Sequence, residues 1–161
     1  MRDSSSDRGA SKLRLELERD GSWTISELGA LEEEPELSRA MLWPEPVQSD
    51  DLFLRHKTTR RALYNHAAQV SRERGYVEAI FHNERGIVTE GAISNIVVKH
   101  GDFWLTPPVD AGVLPGVYRT CLLKRMPEIQ VVEFSVERLL GADEVWLTNA
   151  VRGMRRVVIE S

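Results

Sequence analysis

Four short stretches of this 161-residue sequence place polar or reactive side chains where a neighbouring element could fix them. Lys57, in RHKTTRR, stands just before a helix start, where the positive end of the helix dipole disfavours a cation by about 0.3–1 kcal/mol. A lysine there reads either as a Schiff-base nucleophile or as a solvated side chain at a loop-to-helix junction. Glu90, in VTEGAISNI, lies among strand formers and small residues. A carboxylate drawn into that setting needs a positively charged or proton-sharing partner, such as a pyridinium nitrogen; a solvent-facing strand position is the alternative. Ser94 and Asn95 follow, able to offer hydroxyl, amide and backbone donors to a ligand, or to form a bulge with local hydrogen bonds.

GVLPGVYR offers an anion site, because the N–H groups of Gly116, Val117 and Tyr118 at the beginning of a helix point outward with a favourable dipole, although every helix has such an end. In LTNAV, Thr148, Asn149 and the amide of Ala150 could donate further, or close an Asx turn. The four histidines, His56, His66, His82 and His100, show no metal-ligand spacing, and no metal is expected. No GxSxG, phosphate-loop or zinc pattern occurs. Cys121 has no second cysteine to pair with and, in TCLLKRM, reads as a reduced core residue on the apolar face of a helix.

These residues need a scaffold, and the periodicity supplies one. Residues 1–11 hold almost nothing to bury and read as a disordered tail. From Lys12 the pattern alternates, with Leu13, Leu15 and Leu17 on one face, an Asp20–Gly21 turn, then Trp23 and Ile25 on the return, which predicts a hairpin. LGALEEEPELSR reads as an acidic connection, and AMLW as a short strand before Pro44 and Pro46. TTRRALYNHAAQVSRERG predicts a helix capped by Thr58 or Thr59, with Leu63, Ala67 and Val70 on one stripe and Gly75 just past its end. YVEAIFH, IVTEGAISNIVVKHGDFWLT, IQVVEFS, EVWLTN and RRVVIE read as strands. VLPGVYRTCLLKRM reads as a second helix with proline in its first turn, and VERLLGA as a short third one. The domain reading is a tail over 1–11, a hairpin and connection over 12–48, and a mixed α and β body with a twisted sheet over 49–161.

Bulk properties narrow the partners. The composition, 42% hydrophobic and 29% charged, is ordinary for a globular domain. A net charge of −4 without a basic block gives no electrostatic footprint for nucleic acid or acidic membranes. No apolar run is long enough to span a bilayer and the start lacks a secretory pattern, so the expected compartment is the cytoplasm.

Read together, KTTRR at 57–61, VTEGAISNI at 88–96, LPGVYR at 114–119 and ADEVWLTNA at 142–150 resemble the ordered motif series of the class IV aminotransferases, the fold-type IV pyridoxal-phosphate enzymes. The resemblance runs from about Ser49 to the C-terminus. It implies an α/β (α+β) fold, the C-terminal lobe of the D-amino-acid aminotransferase-like fold, preceded by a remnant hairpin of a small N-terminal lobe. It implies pyridoxal 5'-phosphate as cofactor, with Lys57 its covalent and catalytic lysine, Glu90 holding the ring nitrogen, and Ser94 and Asn95 lining the site. The phosphate would fall to Gly116, Val117 and Tyr118, helped by Thr148, Asn149 and Ala150.

Within the family, HKTTRRALYN and the hairpin ending in ERDG most resemble aminodeoxychorismate lyase, particularly the lyase half fused behind an aminodeoxychorismate synthase. That likeness implies formation of 4-aminobenzoate and pyruvate for folate synthesis, with a small-molecule substrate and a homodimer. A branched-chain or D-amino-acid transaminase is the enzymatic rival, and a catalytically incompetent lobe the non-enzymatic one. Two departures stand out. Family members commonly carry Asn where this chain has Arg60 before Arg61. Their small N-terminal lobe supplies an arginine to the phosphate and part of the substrate pocket, whereas here only its last hairpin, 12–28, is recognisable, so a fragment or shortened form is expected.

Overall fold

The computed structural model describes residues 11–30 and 37–160. The chain divides into two compact units, residues 1–35 and 36–161. Apart from Ser11, the tail expected over 1–11 lies outside the described residues.

The first unit is a hairpin of β1 (Ser11–Leu17) and β2 (Trp23–Ala30), paired antiparallel with Leu15 opposite Ile25 and Leu17 opposite Trp23. Its loop closes through a Glu18 N–H to Ser22 carbonyl bond of 2.8 Å, and the Asp20 carboxylate accepts from both the amide and the hydroxyl of Ser22. Gly21, at φ 87°, takes the left-handed position that the turn requires. Directly opposed residues share a face, so Leu15, Leu17, Trp23 and Ile25 form one apolar surface, and all four are exposed.

The second unit is built on an eight-stranded mixed sheet. Its strands are β3 (Leu37–Leu42), β4 (Glu78–His82), β5 (Val88–Gly91), β6 (Asn95–His100), β7 (Phe103–Thr106), β8 (Ile129–Val131), β9 (Glu144–Asn149) and β10 (Gly153–Glu160). Their order is β5-β4-β3-β10-β9-β6-β7-β8. β3 runs parallel to both β10 and β4, β7 runs parallel to β8, and the other pairs are antiparallel.

The sheet curls until its ends nearly meet. Beyond β8, Val132 N–H donates to the Thr106 carbonyl, Phe134 carbonyl accepts from Val88 N–H, and Ser135 bridges Ile87 ahead of β5. Inside the curl pack Ile80, Val88, Ile96, Val98, Leu105, Leu139 and Leu147, with α3 (Val136–Leu140) contributing Leu139. On the outside, α1 (Ala62–Glu73) brings Tyr64 and Ala67 against Met41, Ala79 and Phe81, while α2 (Val117–Arg125) sets Leu122 against Val97 and Ile129. β4 shows how alternation serves both layers: Ile80 points into the curl, Ala79 and Phe81 toward α1. Among the described residues no helix is long and apolar enough to cross a membrane.

Several local expectations are corrected. The short strand expected at AMLW begins earlier, as β3 over Leu37–Leu42 inside the large sheet, taking in residues 37–39 of the stretch read as an acidic connection; the break between compact units falls after Pro35. α1 is not capped by a threonine. Its N-cap is Arg61, which makes no side-chain cap, while Thr58 Oγ1 accepts instead from Arg60 N–H in a turn before the helix. Gly75 does adopt the left-handed conformation just past the end of α1, at φ 79°. Pro115 lies before the N-cap Gly116, outside α2 rather than in its first turn. Cys121 is exposed, because the buried side of α2 is set by Arg119 and Leu122 and residue 121 falls about 100° away from Leu122. β8 ends at Val131, since the following residues turn away to meet β5.

Candidate active site

One cavity of about 250 Å³ opens where the 3-10 turn at Leu52–Arg55, the start of α1, the β5–β6 turn, the start of α2 and the end of β9 come together. All ten residues proposed from sequence line it: Lys57, Glu90, Ser94, Asn95, Gly116, Val117, Tyr118, Thr148, Asn149 and Ala150. They come from segments that span more than ninety residues of chain, and the curl of the sheet brings them to one mouth.

Glu90 is the last residue but one of β5 and is 7% exposed. One of its oxygens accepts from Leu114 N–H at 3.0 Å and from Asn95 Nδ2 at 3.2 Å, and the same Asn95 amide donates to the Leu114 carbonyl at 2.8 Å. Burial raises its pKa to about 8, against the pull of the Leu114 amide and the Arg61 guanidinium and with a further push from Glu78. A carboxyl of this kind holds its proton near neutrality and can share it with a basic ring nitrogen. Tyr64 neighbours it: burial, then the Glu90 carboxyl, push the phenol pKa upward, and the Tyr64 ring stacks on Phe81 at 4.4 Å between centroids. Arg61 donates to the Ala92 carbonyl and lies over the Tyr64 ring.

The beginning of α2 is narrower as an anion site than the sequence implies. The Gly116 amide is used, donating to the Leu114 carbonyl at 2.8 Å, so the helix start presents Val117 and Tyr118 without intrahelical partners for their N–H groups. Beside them Thr148 is 1% exposed, and among the described residues its Oγ1 has no hydrogen-bond partner. An orphaned hydroxyl on the wall of a pocket is a group that a ligand oxygen would satisfy. Gly116 itself has an ordinary φ of −62°, and its lack of a side chain serves packing: a Cβ would overlap Asn95 Oδ1.

Ser94, Asn95 and Asn149 line the cavity but direct side-chain hydrogen bonds into the protein. Ser94 Oγ donates to Glu78 at 2.8 Å and accepts from Asn149 Nδ2 at 3.0 Å, while Asn149 Oδ1 accepts from the amides of Val151 and Arg152. They shape the site as much as they face it.

Glu78 and Arg155 escaped the sequence reading. Glu78 is 1% exposed at the start of β4; it accepts from Ile93 N–H at 2.6 Å and pairs with Arg155 of β10 at 2.6 Å. Burial raises its pKa while Arg155 opposes the rise. The visible signal was an acid inside the strand YVEAIFH and an arginine in register with the inward Val157 of RRVVIE. Arg119 was also passed over. It is 5% exposed and donates to Thr106 Oγ1 and the Pro107 carbonyl, pinning the end of β7 to α2, and burial lowers its pKa.

A curled mixed sheet with a lysine, a proton-holding carboxyl and an anion-ready helix start at one mouth is the architecture of a cofactor-dependent enzyme lobe. The chain belongs to the class IV aminotransferases, pyridoxal-phosphate-dependent enzymes: the family model "Amino-transferase class IV" matches residues 5–159. Aminodeoxychorismate lyase of Bacillus subtilis is 40% identical over 79 residues, 47% of this chain and 27% of that protein. A branched-chain-amino-acid aminotransferase of Escherichia coli is 35% identical over 83 residues, 49% of this chain and 27% of that one. Among solved structures, a Mesorhizobium loti protein classed as an amino-acid aminotransferase superposes with a TM-score of 0.87 at 32% identity, over 96% of this chain and 75% of the other. The matched stretches therefore span only about a quarter of the two curated relatives.

Proposed function

We propose that this chain forms the cofactor-binding part of a pyridoxal-phosphate-dependent aminodeoxychorismate lyase, which releases 4-aminobenzoate and pyruvate. The observation that carries the cofactor reading is the joint placement of Lys57, the raised carboxyl of Glu90 and the partnerless hydroxyl of Thr148 on one cavity.

The residues present fit the group. Lys57 would hold it covalently, Glu90 would face the ring nitrogen, and Val117 and Tyr118 N–H with Thr148 Oγ1 would take the phosphate oxygens. When bound, pyridoxal phosphate supplies an electron-withdrawing ring that weakens bonds at the carbon carrying the substrate amine. Glu90 keeps a proton at the ring nitrogen, which that withdrawal requires, and burial of the carboxyl keeps water from competing for the proton. The Lys57 amine would take the proton from the substrate ring carbon that bears the amine and return one proton to the enolpyruvyl group as its ether bond breaks, so that it leaves as pyruvate. Gain of aromaticity drives the step.

The lyase reading draws on the wording of the first motif and on the Bacillus subtilis relative; the Escherichia coli relative supports a transaminase as the second reading. The test is to add pyridoxal phosphate and record the visible absorbance of a lysine-bound pyridoxal chromophore. Its absence, or its persistence in Lys57→Ala, overturns the cofactor site. Assaying 4-aminobenzoate release beside amino transfer to a branched-chain keto acid then separates the readings, and transfer alone sinks the lyase.

A further inference from the structure

Three basic side chains, Lys57, Arg60 and Arg61, line the cavity with a single carboxyl, that of Glu90. Arg61 is committed to the Ala92 carbonyl and lies close enough to Glu90 to pull on its proton. Arg60 is different. Among the described residues its guanidinium has neither an acidic nor a carbonyl partner, and it lies over the ring of Phe53, 4.2 Å from the centroid.

Both members of that pair are held from behind by their own backbone. Phe53 N–H donates to Asp51 Oδ1 at 2.9 Å, which anchors the turn that carries the ring, and Arg60 N–H donates to Thr58 Oγ1 at 3.3 Å. A guanidinium lying over an aromatic face keeps its in-plane N–H fork available, and the ring limits the rotamers it would lose on binding. The fork matches the planar, two-oxygen geometry of a carboxylate. The phosphate has another place: the Thr148 hydroxyl and the start of α2 belong to other elements than the turn and the segment before α1 that carry Phe53 and Arg60.

We propose that Arg60, presented on Phe53, is the residue of this chain that receives a carboxylate of the amine substrate at the mouth of this pocket. The identity of that amine rests on the cofactor reading above; the carboxylate contact itself belongs to residues present with or without cofactor.

The experiment titrates the full chain with 4-aminobenzoate and with its uncharged counterpart 4-aminobenzamide, followed by NMR, with and without pyridoxal phosphate. Wild type is expected to favour the acid by about 10- to 100-fold, the range of a charge-assisted hydrogen bond. That preference is expected to vanish in Arg60→Gln and to survive in part in Arg60→Lys, which keeps the charge without the fork. Phe53→Leu is expected to lower affinity for the acid by about 2- to 5-fold through loss of the ring beneath the guanidinium. Both residues are exposed, so these changes leave the core intact. Equal binding of acid and amide by wild type, or an undiminished preference in Arg60→Gln, overturns the proposal. Failure of the visible chromophore to form overturns the cofactor reading instead, and the titration without cofactor still decides the role of Arg60.

Discussion

The carboxylate of Glu78 and the guanidinium of Arg155, 77 positions apart in the chain, meet at 2.6 Å beneath the turn that lines the active-site pocket. Because Glu78 also takes Ile93 N–H and Ser94 Oγ, this pair ties β4 and β10 to the β5–β6 turn, and through Ser94 to Asn149 at the end of β9. Gly91 is part of the same fit, since a Cβ there would collide with the Glu78 carboxylate.

Removing one charge from a buried pair strands the other. Glu78→Gln keeps the shape and removes the buried charge that the Arg155 guanidinium meets at 2.6 Å, so a loss of about 3–5 kcal/mol is expected in urea unfolding. The double substitution Glu78→Gln with Arg155→Met should cost less than the sum of the single ones, because it removes both charges. Strict additivity would show that the two do not act as a pair.

Glu90 gives the apo chain a pH dependence of definite sign. Its folded pKa, about 8, stands above its ordinary 4.5, so between those values the folded state holds a proton that the unfolded state has lost. Stability from this group is therefore complete below about pH 4.5, declines as pH rises toward 8, and levels off above. Glu90→Gln should remove that slope from a series of unfolding curves; an unchanged slope would place its origin elsewhere.

Thr148→Val should separate stability from ligand binding. The hydroxyl is buried without a partner, so replacing it with a methyl group of similar shape should stabilise the apo chain by about 1 kcal/mol. The same change should weaken pyridoxal phosphate by about 5- to 10-fold, one hydrogen bond's share, and leave phosphate-free pyridoxal unaffected. Equal weakening of both would show that Thr148 does not face the phosphate.

At Gly116 the backbone is unstrained, so Gly116→Ala tests one contact only: the new Cβ against Asn95 Oδ1. Asn95 cannot turn aside without giving up its bonds to Glu90 and the Leu114 carbonyl. A cost of about 1–3 kcal/mol is expected, partly relieved in the double variant with Asn95→Ala. No relief would mean that the clash lies elsewhere.

Much of the candidate site was legible because it is local. Lys57, the VTEGAISNI turn, the start of α2 and the end of β9 each show strand or helix boundaries in short windows, and their order along the chain carried the family likeness. The hairpin, α1 and the glycine closing α1 follow from periodicity and turn chemistry in the same way. What escaped is what depends on distant pairing. Nothing near Glu78 says that Arg155 will pair with it, and nothing in LSRAML says that the strand expected from Ala40 starts at Leu37 and lies between two parallel partners. Cys121 was misplaced because three apolar neighbours, Leu122, Leu123 and Met126, suggested a face that it does not share. The Gly116 amide looked free until Leu114 was seen to bend back toward it.

The position of β3 has a consequence in time. It is the first strand of the sheet along the chain, yet one of its two partners is β10, whose residues 156–160 pair with residues 37–41. On a ribosome, β3 emerges more than a hundred residues before that partner, and it must wait with one edge bare, the situation in which a nascent strand is captured by a wrong neighbour. Closure of the spine β3-β10-β9 therefore waits until β10 has been made. The pocket, whose Ser94 is bonded to Glu78 and through it to Arg155 of that same β10, becomes competent only after the rest of the sheet has already been made.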